Sequence, residues 1–278
     1  MKEQTNVLLE VKGLRVTTES RQREELCLVN DIDFAVKQGS VLGVVGESGS
    51  GKTMTCLSIL QLLDRKTTKV EGSIRLRGRE LNGLKEAELR CIRGKEIAYI
   101  MQNPMNAFSP VFTIGSQFAD SICTHSPLSR KQAMELAAEA LLDMNLPEPQ
   151  LVLKRYPFEL SGGMLQRAMI ALAMCLKPAL LLADEPTTAL DTVNQLQVLR
   201  LLEKCRREHG TAIMLISHDL SVIAEMSDEV AVMQRGMLVE RADVYELFRN
   251  PQQSYTKQLM DARPKVAYSE KTTELVTS

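Results

Sequence analysis

The chain has 278 residues, 44% of them hydrophobic and 25% charged, a balance that suits an ordinary globular core. Thirty-four basic residues against 35 acidic ones leave a net charge of −1, which does not suggest a nucleic-acid reader driven by phosphate neutralisation. Aromatic residues make up only 4%, with no Trp, which speaks against a stacking platform for single strands as well.

The amino-terminal stretch MKEQTNVLLE carries no signal-peptide apolar core. The longest apolar run, 168–176, is about half of what a membrane span needs. Six cysteines, at 27, 56, 91, 123, 175 and 205, include no CxxC pair and read as free thiols of a reducing compartment. A cytosolic protein able to dock on a membrane partner is expected.

In chain order, Leu9 and Val11, then Leu14 and Val16, then Ile32, Phe34 and Val36 alternate with polar residues and predict half-buried strands. The run VLGVV at 41–45 is apolar throughout and predicts a strand buried on both faces. A helix is expected over about Thr53–Leu63, and Ile74 with Leu76 marks another strand. From about 87 the character changes. Prolines at 104, 110, 127, 147, 149 and 157 cut the chain into pieces, and Ser129 with Gln132 forms a capping-box signature before RKQAMELAAEALLDMN. A mainly helical insertion is predicted there. The core then resumes with LLLADE, an amphipathic helix over Val193–His209 stopped by Gly210, the buried strand TAIMLIS at 211–217, and a strand-turn-strand in DEVAVMQRGMLVE.

The stretch GESGSGKT, made of Gly46, Glu47, Ser48, Gly49, Ser50, Gly51, Lys52 and Thr53, fits the phosphate-loop pattern GxxxxGK[ST] between a buried strand and a helix. Glycines let backbone N–H groups turn toward phosphate oxygens. Lys52 is expected to reach the β- and γ-phosphates and Thr53 to ligate Mg²⁺. In LLLADEP a strand delivers Asp184, expected to hold Mg²⁺ directly or through water, and Glu185, expected to be the general base for the attacking water. His218 ends the next strand, where it is either a structural residue or a donor to the γ-phosphate. Gln102, after IAYIM, is placed to sense Mg²⁺ or the lytic water. The stretch LSGGMLQR at 160–167 opens a second helix whose first N–H groups lack partners. If two chains pair head-to-tail, Ser161, Gly162 and Gly163 of one cap the ATP held by the other.

These residues in this order resemble the ATPase cassette of ABC proteins over about residues 8–262. The resemblance implies a fold class of α/β, a P-loop ABC ATPase core with a β-rich N-terminal lobe and a helical subdomain. The implied layout is residues 1–86 for the first part of the core, 87–165 for the helical subdomain, 166–262 for the second part of the core and 263–278 for a tail. It implies that Asp191, in TTALD, lies in the loop touching the partner across the ATP sandwich. Cofactors are then ATP and Mg²⁺. Partners are a second ABC ATPase subunit, identical or a sister chain, two membrane permease subunits and, indirectly, an extracytoplasmic solute-binding protein. The place of work is the cytoplasmic face of the membrane.

YPFELSGGMLQR, ISHDLSVIAEMSDEVAVM and YTKQL are similar to the importer ATPases for dipeptides, oligopeptides and nickel. The tail has no Cys, unlike the iron–sulfur tail of many peptide-type members. With IMQNPMNAFSP this favours nickel or a metal chelate as cargo, with peptides as the alternative and a non-transport ABC ATPase as the more remote one. LRVTTESRQREE has no aromatic residue where ABC cassettes stack the adenine, so the base contact falls to Arg, an aliphatic side chain or another segment.

Overall fold

The computed structural model describes residues 6–19, 25–187 and 192–261. Its strands are β1 (Val7–Glu19), β2 (Glu25–Lys37), β3 (Val41–Val45), β4 (Thr68–Leu76), β5 (Arg79–Glu80), β6 (Ile97–Ile100), β7 (Leu180–Asp184), β8 (Ala212–Ile216), β9 (Glu229–Gln234) and β10 (Met237–Asp243). The helices of the first half are α1 (Lys52–Ile59), α2 (Glu86–Ile92), α3 (Ile114–His125), α4 (Arg130–Asp143) and α5 (Pro149–Lys154). Those of the second half are α6 (Gly162–Met174), α7 (Thr192–His209), α8 (Leu220–Met226), α9 (Val244–Arg249) and α10 (Ser254–Asp261). The chain divides into two compact units, one from Met1–Lys85 with Ala212–Ser278 and the other from Glu86–Thr211.

The first unit holds two sheets. One is antiparallel with strand order β2-β1-β4-β5. The expected short strands at Leu9–Val11 and Leu14–Val16 are one long strand. Its buried positions switch from odd to even numbers because the pairing with β2 slips between Val11↔Phe34 and Leu14↔Ile32, at Gly13. A bulge there keeps both apolar pairs on the core side. In the other sheet β3 lies between β8 and β9, parallel to both, and β10 returns antiparallel on β9. Arg235 and Gly236, both with positive φ, make the two-residue turn of that hairpin.

Helix α1 is shorter than its apolar pattern predicts. Gln61 takes a left-handed φ of 53°, and the Leu62 N–H reaches back to the Leu57 carbonyl, closing the last turn.

In the second unit β6 and β7 pair in parallel, Ile97 against Leu180 and Ile100 against Ala183. This pairing keeps the Leu180–Asp184 strand with the helical segment. Helix α4 begins at the expected capping box: the Ser129 N–H donates to Gln132 Oε1 at 2.9 Å, and the Gln132 N–H to Ser129 Oγ at 3.4 Å. Phe118 and Ile122 of α3 and Ala133, Ala137 and Leu141 of α4 are fully buried. Helix α7 ends where Gly210, at φ 65°, donates to the Arg206 carbonyl. No helix among the described residues is long and apolar enough to cross a membrane.

Cys27 and Cys91 are exposed, whereas Cys56 and Cys205 are buried. Burial pushes the thiol of Cys175 up to about 12 and that of Cys205 up to about 11, so neither forms thiolate near neutral pH. At pH 8 a maleimide is expected to label Cys27 and Cys91 rapidly, and Cys175 and Cys205 only after unfolding. Peptide mapping by mass spectrometry checks this, and equal labelling of all four would contradict the burial.

Candidate nucleotide site

In the first unit the phosphate loop joins β3 to α1. A Cβ on Gly46, at φ 152°, would lie 2.1 Å from the Met233 carbonyl oxygen, so only glycine lets the loop start against β9. Gly51, at φ 102°, is the residue before α1, and no acidic residue occupies the first turn of that helix. Its first N–H groups therefore keep their pull on an anion. The Lys52 ammonium is buried and donates to the carbonyls of Gly46 at 2.7 Å and Glu47 at 2.8 Å, and to Ser50 Oγ at 3.3 Å. Thr53 is exposed. On the other side of the loop, the Glu47 N–H donates to the Tyr255 hydroxyl at 3.0 Å.

His218 is exposed and follows β8, whose Ile216 pairs with Val44 of β3. It thus leaves the carboxyl end of the strand adjacent to the one that feeds the phosphate loop. The next residue, Asp219, caps α8 by accepting from the Ser221 N–H at 2.8 Å. The backbone on either side of His218 is therefore pinned.

In the second unit Asp184 ends β7, is 3% exposed, and accepts a hydrogen bond from the Tyr99 hydroxyl at 3.1 Å. Glu185 follows at a left-handed φ of 49°, a conformation uncommon for a side chain of this kind. Gln102 Nε2 donates to Glu185 Oε2 at 2.9 Å. Strand register explains the meeting, because Ile100 opposite Ala183 brings the residues just after both strands to one edge. Ser161 caps α6, its Oγ accepting from the Met164 N–H at 3.4 Å, and Ser161 and Gly162 are exposed. Buried Gln166, one turn further on, donates to the Pro186 carbonyl at 2.7 Å. Helix α6 is thereby tied to the backbone just after Glu185.

The predicted residues fall into two groups. Gly46, Glu47, Ser48, Gly49, Ser50, Gly51, Lys52, Thr53 and His218 belong to the first unit. Gln102, Ser161, Gly162, Gly163, Asp184 and Glu185 belong to the second. Asp191 lies outside the described residues, as do 20–24 of the aromatic-free stretch and the Cys-free tail. Tyr99, Gln166 and Tyr255 were not singled out from the sequence. All three lie inside sequence motifs, IAYIM, LSGGMLQR and YTKQL, but their partners are 85, 20 and 208 positions away in the chain.

Each unit by itself offers oxygen donors of the kind a small hard cation takes: an exposed hydroxyl at Thr53 in the first, and a buried carboxylate at Asp184 and a carboxamide at Gln102 in the second. Among the described residues no cluster of three His, Cys, Asp or Glu side chains is placed to hold a metal.

The sequence profile described as ABC transporter matches residues 29–188. A probable peptide ABC transporter ATP-binding protein of Sinorhizobium fredii is 45% identical over 260 residues, covering 93% of this chain and 77% of that protein. A putative peptide import ATP-binding protein of Brucella melitensis is 43% identical over 93% of this chain and 78% of its own length. The glutathione import ATP-binding protein GsiA of Escherichia coli is 41% identical over 93% of this chain, which spans 42% of that longer protein. Among solved structures, the ATP-binding cassette MJ0796, a dimer in a post-hydrolysis state with ADP and Pi, aligns with a TM-score of 0.77 at 25% identity. That alignment covers 85% of this chain and 99% of the cassette. The chain belongs to the ABC transporter family. It is an ATP-hydrolysing ABC transporter ATPase with the α/β cassette fold, a β-rich N-terminal lobe and a helical subdomain.

Proposed function

We propose that this chain is the ATP-hydrolysing subunit of an importer for short peptides, working at the cytoplasmic face of the membrane. The observation that carries this reading is 43–45% identity, over 93% of the chain, to two ATP-binding proteins named for peptide transport. The glutathione-import relative points the same way, since glutathione is itself a tripeptide. This changes the nickel expectation. None of these three relatives is named for nickel, and the motif wording that suggested it belongs to machinery that does not touch cargo. Its partners are a second ATPase subunit, identical or a sister chain, two permease subunits and a solute-binding protein.

Within that reading ATP occupies the phosphate loop. Lys52 leaves its loop carbonyls for the phosphates, exchanging neutral acceptors for charged ones, which strengthens its hydrogen bonds. Glu185 takes a proton from the attacking water, and Gln102, now hydrogen-bonded to it, holds that carboxylate oriented until the water arrives. Tyr99 fixes Asp184 by its hydroxyl. Thr53, Asp184 and Gln102 would hold Mg²⁺, which when bound neutralises charge on the β- and γ-oxygens. His218 donates to the γ-phosphate. Ser161, Gly162 and Gly163 offer the open N-terminus of α6 to ATP on the partner subunit, and Asp191 lies in the loop that meets that partner.

The test is co-purification with the native permeases, reconstitution in vesicles, and ATPase assays with the cognate binding protein loaded with peptides, glutathione or Ni²⁺. Peptide or glutathione is expected to stimulate hydrolysis. Stimulation by Ni²⁺ alone would return the reading to a metal importer, and no stimulation by any of the three would remove the importer role.

A further inference from the structure

Helix α10 follows the last strand hairpin and lies beyond the 29–188 span of the family profile. Its start is held by Glu240, whose two carboxylate oxygens accept from the N–H groups of Gln252 at 2.7 Å and Gln253 at 3.0 Å. Burial alone would raise the Glu240 carboxyl, but the hydrogen bonds it accepts outweigh burial and hold it below the usual range. The charged form that clamps the helix is therefore favoured. Tyr255, one residue into α10, is 6% exposed, and its hydroxyl accepts the Glu47 N–H across 208 positions of sequence.

The peptide plane between Gly46 and Glu47 carries two groups that point in opposite directions. Its N–H goes to Tyr255 and its C=O, on Gly46, goes to the Lys52 ammonium at 2.7 Å. A plane that follows a glycine turns easily, because that glycine has no side chain to bias its rotation. Tethering one end of the plane fixes the other.

We propose that Tyr255 is a positioning residue for nucleotide binding: its hydroxyl holds the Gly46–Glu47 peptide plane, and with it the parked Lys52, in the arrangement that receives phosphate. The inference rests on reading residues 46–53 as the phosphate loop. Preorganisation is its physical basis. A loop already set before ATP arrives loses less conformational freedom on binding than one that must be ordered. With the hydroxyl gone, the Glu47 N–H either loses its partner or turns away, and the Gly46 carbonyl, one of the three acceptors of Lys52, turns with it.

The variant is Tyr255→Phe in the full chain, which removes one oxygen and keeps the buried ring. ADP and ATP affinities are measured by calorimetry, and exchange of the Glu47 amide is followed in the nucleotide-free protein. The expected result is a dissociation constant raised about three- to tenfold, the range that one neutral hydrogen bond sets. The KM for ATP rises more than kcat falls, and exchange protection is lost at Glu47 while the β3 amides stay protected. Unchanged affinity would overturn the proposal. So would a uniform loss of protection through β3 and the loop, which would make Tyr255 a packing residue only. Lys52→Ala, run in parallel, separates the two readings. If it abolishes nucleotide binding while Tyr255→Phe leaves binding intact, the positioning role alone falls. If it too binds normally, the phosphate-loop reading falls.

Discussion

Glu185→Gln is expected to cut ATP hydrolysis by about 10²–10⁴-fold, the usual worth of a positioned general base, while ATP still binds. The geometry makes the substitution clean. Gln102 donates to a carboxylate oxygen of Glu185, and a glutamine carboxamide offers an oxygen in the same place. The left-handed backbone at φ 49° strains glutamine as much as glutamate. Only the ability to take a proton is lost. With hydrolysis blocked, ATP is expected to stay in the proposed sandwich, and the variant to run as a dimer in the presence of Mg²⁺ and ATP. Single-turnover hydrolysis with labelled ATP and size-exclusion chromatography check this. Hydrolysis within a few-fold of the unsubstituted protein would remove Glu185 from the base role.

Gly162→Glu is expected to separate folding from function. A Cβ built at Gly162 meets no atom within 4 Å, so the subunit itself has room for a side chain. A carboxylate in the first turn of α6 also faces the positive end of the helix, which favours the folded subunit by roughly 0.3–1 kcal/mol. The melting temperature without nucleotide is therefore expected to hold or rise. Function is expected to fail, because the new charge stands where the helix start is proposed to meet the partner-bound phosphate. A like-charge juxtaposition of that kind costs several kcal/mol, so ATP-driven dimerisation and hydrolysis should drop by about 100-fold or more. Circular dichroism melts and ATPase assays read the two effects separately. Normal hydrolysis in a stable Gly162→Glu subunit would mean that the start of α6 does not face nucleotide at all.

Much of the site was legible because its signals are local. The phosphate loop is a run of eight residues in which Gly46 and Gly51 sit where a carbonyl crowds the backbone, that of Met233 and that of Leu28, and Gly49 supplies a positive φ. The capping box of α4 and the Arg235–Gly236 turn are equally local, and both formed as expected. Less was legible where local pattern competes with packing. The apolar run after Lys52 predicts a helix to Leu63, but the left-handed turn at Gln61 ends it at Ile59. The alternation in the first strand predicts two short pieces, but one bulge reconciles them. Cargo was the least legible, since the residues that bind ATP carry no information about what crosses the membrane.

The sequence by itself determined the strand-loop-helix that forms the phosphate loop, the acids at the end of LLLADE and the open helix start at Ser161. Each of these is decided within a few residues by backbone sterics and unpaired N–H groups. Only the tertiary structure decided which distant side chains hold those groups in place: Gln102 on Glu185, Tyr99 on Asp184, Gln166 on Pro186 and Tyr255 on Glu47. Such pairs depend on strand register and on where a later helix comes to rest. Those are set by packing of the whole chain, so no spacing in the sequence encodes them.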